Sequence, residues 1–162
     1  MDTDSLPGTS ERADDVGNLI RRCVPEDIDF LMEVAEHRYG PKDFDRVQGR
    51  AWTLARLSEP TMAFFRGRHS FGVCHITKHY MAPTKWQAFL TVMASIPQKT
   101  MSMEPYRICE AMVEWAQSKN ATKFWFSDIT GHDLAPMVRH LGGRRAGHTY
   151  VVDLDPEAGP FG

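Results

Sequence analysis

Residues Trp86 to Asp128 read as strand, loop, helix, strand, and that order restricts the topology more than any other stretch of the chain. The run Trp86–Ala94 is apolar and rich in β-favouring residues, and Ser95-Ile96-Pro97 ends it. From Tyr106 to Lys119 the period becomes helical: Ile108, Met112, Trp115 and Ala116 share one face, with Ala111 beside them. Asn120 is placed to cap that helix, and Thr122–Asp128 is a second strand run. Two strands joined through a helix are most simply parallel neighbours with a right-handed crossover. The loop from Gln98 to Met103 then lies at the strand's C-terminal end and the helix N-terminus. There, backbone N–H groups and a partial positive charge form a natural anion site.

The chain on either side adds elements of an α+β domain. Asn18–Val24 is a short strand, and Pro25-Glu26-Asp27 opens a helix, with proline in the first turn and two acids at its positive end. Ile28, Leu31, Met32 and Ala35 form its apolar stripe, and Gly40-Pro41 breaks it. A second helix runs from about Phe44 to Leu57, with Val47, Ala51, Leu54 and Ala55 expected to face inward. Thr61–Phe65 and Ser70–Thr77 are strands of a hairpin whose turn, Arg66-Gly67-Arg68, places glycine where a positive φ would be needed. Met81–Thr84 makes the next turn. After Asp128, Leu134–Leu141 is a short helix stopped by Gly142-Gly143, and His148–Leu154 is a last strand.

A length of 162 residues sets one domain, residues 18–154, between an acidic arm (1–17) and a tail (155–162) too poor in apolar residues to order themselves. A formal net charge of −2 gives no electrostatic footprint for nucleic acid. No apolar run reaches the length of a membrane span and the N-terminus carries no signal pattern, so a cytoplasmic protein is expected. Cys23, Cys74 and Cys109 are widely spaced and form no CxxC pair, which fits a reducing compartment.

This order of elements resembles the GNAT superfamily of acyl-CoA-dependent N-acyltransferases. Ile20–Asp27 is similar to that family's first strand and entry to its first helix, and Gly72 to its glycine after the hairpin. Ala111–Ala116 is similar to the middle of its third helix, and Gly131–Gly143 to its fourth-helix segment. The resemblance covers about Asn18 to Leu154. It implies an α+β fold with a mixed central sheet, antiparallel in its first half and parallel at its centre, with helices on both faces. It implies acetyl-CoA as acyl donor and an amine acceptor, small molecule or protein. In the family the pyrophosphate sits on a Gln/Arg-x-x-Gly-x-Gly/Ala loop; the best register places Gln98-Lys99-Thr100-Met101-Ser102-Met103 there, with methionine at both glycine positions. The resemblance also implies pantetheine contacts through the backbone of Met93 and Ser95. The thiolate-protonating tyrosine of the fourth helix has no counterpart here, and His140 is the chemical substitute. Asp128, ending the central strand, is the candidate to orient the amine. A second implication follows from the altered loop: a catalytically degenerate GNAT-fold interaction protein with protein partners, similar to virion-associated proteins of short-tailed bacteriophages.

The remaining candidates read more simply as structure. His75, Thr77 and His79 share a strand face with Cys74 on the other, so they do not converge on a metal. Phe124-Trp125-Phe126 reads as core on both faces of a central strand. Arg66, Arg68, Arg144 and Arg145 read as solvated, and Cys109, inside a helix, has no neighbouring proton acceptor.

Overall fold

The computed structural model describes residues 19–100, 102–127 and 134–147. It divides into a unit of residues 1–126 and a C-terminal unit of residues 127–162. The first unit carries β1 (Arg21–Arg22), a 3-10 turn (Pro25–Asp27), α1 (Ile28–Tyr39), α2 (Arg46–Arg56), β2 (Met62–Arg66), β3 (Ser70–His79), β4 (Ala82–Ser95), α3 (Glu104–Ser118) and β5 (Ala121–Trp125). In the second unit the described element is α4 (Ala135–His140). The arm, the tail, Met101, Asp128 and the expected strand His148–Leu154 lie outside the described residues. Among the described residues no helix is long and apolar enough to cross a membrane.

The sheet order is β1-β2-β3-β4-β5, antiparallel except that β4 and β5 run parallel. The expected crossover is therefore present, with α3 as its helix. Helix α3 buries Ile108, Met112, Trp115 and Ala116, the stripe read from the sequence. Its approach is set by Gly72 in β3, where a Cβ would stand 2.6 Å from Ile108 Cγ2 and 3.1 Å from Met112 Cε. At the helix end Asn120 takes φ 62°, the left-handed conformation that asparagine tolerates better than most residues. The opposite sheet face, carrying Phe71, Val73 and Ala94, packs with Phe64 against Leu31, Val34 and Ala35 of α1.

Asp27 joins the first turn to the sheet edge. Its carboxylate accepts from Arg21 Nη1 (2.7 Å) and Nη2 (2.6 Å), from Arg66 Nη1 (2.9 Å) and from the Val24 N–H (2.9 Å). The Arg21 hydrogen bonds, against the opposing effect of burial, hold its pKa down at about 2. Asp27 is thus a buried anchor in a 3-10 turn rather than an exposed acid at a helix start, and Arg66 is its partner rather than a solvated hairpin residue.

Three further expectations are corrected. Val47, Ala51, Leu54 and Ala55 of α2 face solvent, Val47 at 79% exposure, while Thr53 is the residue α2 buries. The periodicity located the apolar face but not its direction: α2 turns Gly49 toward Phe44 and Met32 and buries Thr53, with exposed Arg46–Glu36 and Arg50–Asp29 ion pairs alongside. Gly67 does not adopt a positive φ; its missing Cβ instead leaves room for the Glu104 side chain. The Phe124–Phe126 segment is half-buried rather than core on both faces: Phe124 and Phe126 stack at 4.6 Å, while Trp125 is exposed and donates from Nε1 to Gln87 Oε1.

Candidate functional site

Strand β4 builds the centre of the site. Val73 pairs with Val92 but Cys74 pairs with Leu90, so Thr91 is an extra residue that kinks the strand. Pairing with β5 ends at Phe89↔Trp125, whereas β4 continues to Ser95. From Leu90 to Ser95 the β4 edge on that side has no strand partner among the described residues. Such an edge presents backbone donors and acceptors to whatever lies alongside. Met93 is buried opposite Gly72, on the α3 face, so its contribution to this edge is backbone. The Ser95 hydroxyl is turned to β3, donating to Ser70 Oγ at 2.8 Å.

The loop after β4 is less of an anion cradle than a bare helix N-terminus. Gln98 folds back, its Nε2 donating to the Ile96 and Pro97 carbonyls at 3.1 and 3.2 Å. Lys99 is exposed. Ser102 Oγ accepts the Glu104 N–H at 3.2 Å, and Pro105 has no N–H to give. Met103 stands at the N-cap and is 55% exposed, so it is not part of the core. The open edge can hydrogen-bond an extended ligand that carries amides, and an anion at the loop would meet Lys99 and a reduced set of N–H groups.

Two features of this region escape the sequence. Glu104, the first residue of α3, is 2% exposed, and its Oε1 accepts the His69 and Ser70 N–H groups at 2.7 and 2.8 Å. An acid at the start of a helix is unremarkable in sequence; only the fold carries it to the β2–β3 turn above Gly67. The second is a polar pair on the other sheet face. His75 Nδ1 lies 2.8 Å from Thr91 Oγ1, and the imidazole stacks on Phe89 at 5.3 Å. Burial lowers the His75 pKa, which disfavours the charged ring. The pair depends on the bulge, since Thr91 has no cross-strand partner in the ladder and register could not be read from the sequence.

Of the other candidates, His79 stacks on Tyr80, and no group of His, Cys, Asp and Glu suited to a metal occurs among the described residues. The thiols of Cys23, Cys74 and Cys109 are buried, and burial pushes each up to about 12, which disables them as nucleophiles at neutral pH. His140 ends α4 in the C-terminal unit, on an exposed position.

Comparison with solved structures identifies the fold. A putative acetyltransferase from Agrobacterium tumefaciens superposes with a TM-score of 0.68 at 14% identity, over 84% of this chain and 99% of that one. The fold is the GNAT fold. A predicted acetyltransferase from Clostridium acetobutylicum, solved with acetyl-CoA, matches with a TM-score of 0.62 at 11% identity over 83% of this chain and 95% of that one. An aminoglycoside acetyltransferase from an uncultured soil metagenomic sample, solved with sisomicin, matches with a TM-score of 0.61 at 14% identity over 84% and 96%. No protein-family model and no curated protein matches the chain. In this GNAT-fold chain the mixed sheet, the parallel β4–β5 pair and the helices on both faces agree with the resemblance read from the sequence.

Proposed function

We propose that this chain is a GNAT-type N-acetyltransferase that moves an acetyl group from acetyl-CoA to the amine of a small-molecule acceptor. The observation that carries the reading is the kinked β4 whose edge, among the described residues, has no strand partner from Leu90 to Ser95 beyond its pairing with β5. The neighbours solved with acetyl-CoA and with sisomicin support the donor and the class of acceptor. Acetyl-CoA, when bound, supplies an activated thioester carbonyl. The β4 backbone through Met93 and Ser95 holds the pantetheine arm. Lys99 provides the charge for the pyrophosphate, with loop amides of Gln98, Met101, Ser102 and Met103 around it. The acceptor must be a free amine before its lone pair can attack. Thr91, with its hydroxyl on neutral His75, is the pair that takes the ammonium proton: Thr91 passes it to Nδ1, and His75 carries it away from the cleft. The roles of Asp128 in orienting the amine and of His140 in protonating the departing thiolate rest on the sequence resemblance alone. Acetyl-CoA supply points to the cytoplasm as the place of action.

Titration calorimetry with acetyl-CoA tests the reading. Binding is expected, and Lys99→Ala is expected to weaken it about ten- to a hundredfold, the worth of a charge-assisted phosphate contact of roughly 1.5–3 kcal/mol. His75→Gln should leave binding intact, lower kcat/KM and remove its acidic limb. Absence of any heat or melting shift at millimolar acetyl-CoA overturns the enzyme. It would select the second reading, a non-catalytic GNAT-fold module with a protein partner. That reading draws on Pro105 and on the Ser102–Glu104 contact, which leave α3 short of donors at its anion-binding end.

A further inference from the structure

Helix α2 meets the sheet through Trp52, whose ring stands edge-on to Phe64 at 6.4 Å. Its inward positions are the small Gly49 and the polar Thr53, while Val47 and Leu54 face out. Beneath it, a cavity of about 360 Å³ opens between α1, α2 and the sheet, lined by Met32, Tyr39, Phe44, Trp52, Phe64 and Val92 among others. The space is partly open to solvent and lined mainly by apolar side chains, the character of small-molecule sites. Its floor includes Val92, the residue directly after the Thr91 kink, at the start of the open β4 edge. Its wall includes one charged side chain, Asp45, and that carboxylate already caps α2 by accepting the Gln48 N–H at 3.0 Å.

We propose that this cavity receives the non-reacting body of the amine acceptor, and that this body is apolar and uncharged: an arylalkyl amine rather than a polycation. The inference rests on the acetyltransferase reading for the reaction, but the shape and lining of the cavity are independent of it. The amine of such a ligand would reach the Thr91 kink with its ring against Phe44, Trp52 and Phe64. A polyamine or aminoglycoside would place several further ammonium groups against walls that, among the described residues, offer the single carboxylate of Asp45. Phe44 lies against Gly49, whose missing Cβ leaves room for the ring; a Cβ there would stand 3.1 Å from its Cε2.

The probes are 2-phenylethylamine and tryptamine against spermidine and kanamycin, read by calorimetry on the full chain and by acetyl transfer in the presence of acetyl-CoA. The aryl amines are expected to bind and to be acetylated in preference to both polycations. Trp52→Ala is expected to raise Kd and KM for tryptamine about tenfold through loss of aromatic burial, with Kd for acetyl-CoA unchanged. Ala35→Phe, which projects a ring into the cavity from α1, should do the same by blocking it; Trp52 is 40% exposed, so its variant folds even if that one does not. Preference for spermidine or kanamycin, or aryl-amine binding indifferent to Trp52→Ala, overturns the inference and leaves the acetyltransferase standing. Aryl-amine binding that is sensitive to Trp52→Ala without any acetyl-CoA binding retains the cavity and removes the transferase. Absence of aryl-amine binding overturns the inference whatever acetyl-CoA does.

Discussion

Asp27→Asn removes the charge from the anchor between the first turn and the sheet edge while keeping its shape. The wild-type carboxyl titrates at about 2 in place of 3.8, because Arg21, Arg66 and the Val24 N–H all favour its ionised form. At roughly 1.36 kcal/mol per pH unit, that difference amounts to about 2.5 kcal/mol of native-state stability. The Asp27 side chain is 7% exposed, but Arg21 is 52% exposed, so water screens part of the pair and about 2 kcal/mol is the working figure. The sign follows from linkage: a carboxyl depressed by folding stabilises the native state above its unfolded pKa, and that stability drains away as pH falls through the folded value. Urea unfolding of wild type and variant should therefore differ by about 2 kcal/mol between pH 7 and 5, with the gap shrinking from pH 4 toward pH 2. A gap below about 0.5 kcal/mol at pH 7, or one unchanged at pH 2.5, refutes the assignment of this stability to the charged carboxylate.

Gly72→Val is expected to destabilise by about 1–3 kcal/mol or more by driving new methyl groups into Ile108 and Met112, and pairing it with Ile108→Ala should recover part of the loss in denaturant unfolding. The three buried thiols should resist a disulfide reagent at pH 8 until guanidinium unfolds the chain. Because they ionise near 9.0 when exposed and at about 12 when buried, stability should fall with rising pH from 9 to 12, read by urea midpoints across that window.

Among the described residues, the sequence alone determined most of the elements and their central connection, although β4 begins at Ala82, inside the turn read at Met81–Thr84. Ile108, Met112, Trp115 and Ala116 repeat at a helical spacing that no strand can satisfy, and a helix between two strands leaves a parallel crossover as the simplest route. The stripe Ile28, Leu31, Met32 and Ala35 was equally legible, and it is buried as read. Tertiary structure decided the direction in which α2 faces, since its polarity pattern marks two sides and the packing of Gly49 against Phe44 and Met32, with Thr53 buried, chooses between them. It also decided the site. Gly67, Glu104, His69 and Ser70 lie far apart in the chain and meet because α3 lands on the β2–β3 turn. Thr91 reaches His75 because one extra residue in β4 shifts a register that local preference does not encode. A chain writes its periodicities locally, within a few residues, whereas bulges, buried charges and the cavity under α2 arise from how separate elements settle against one another.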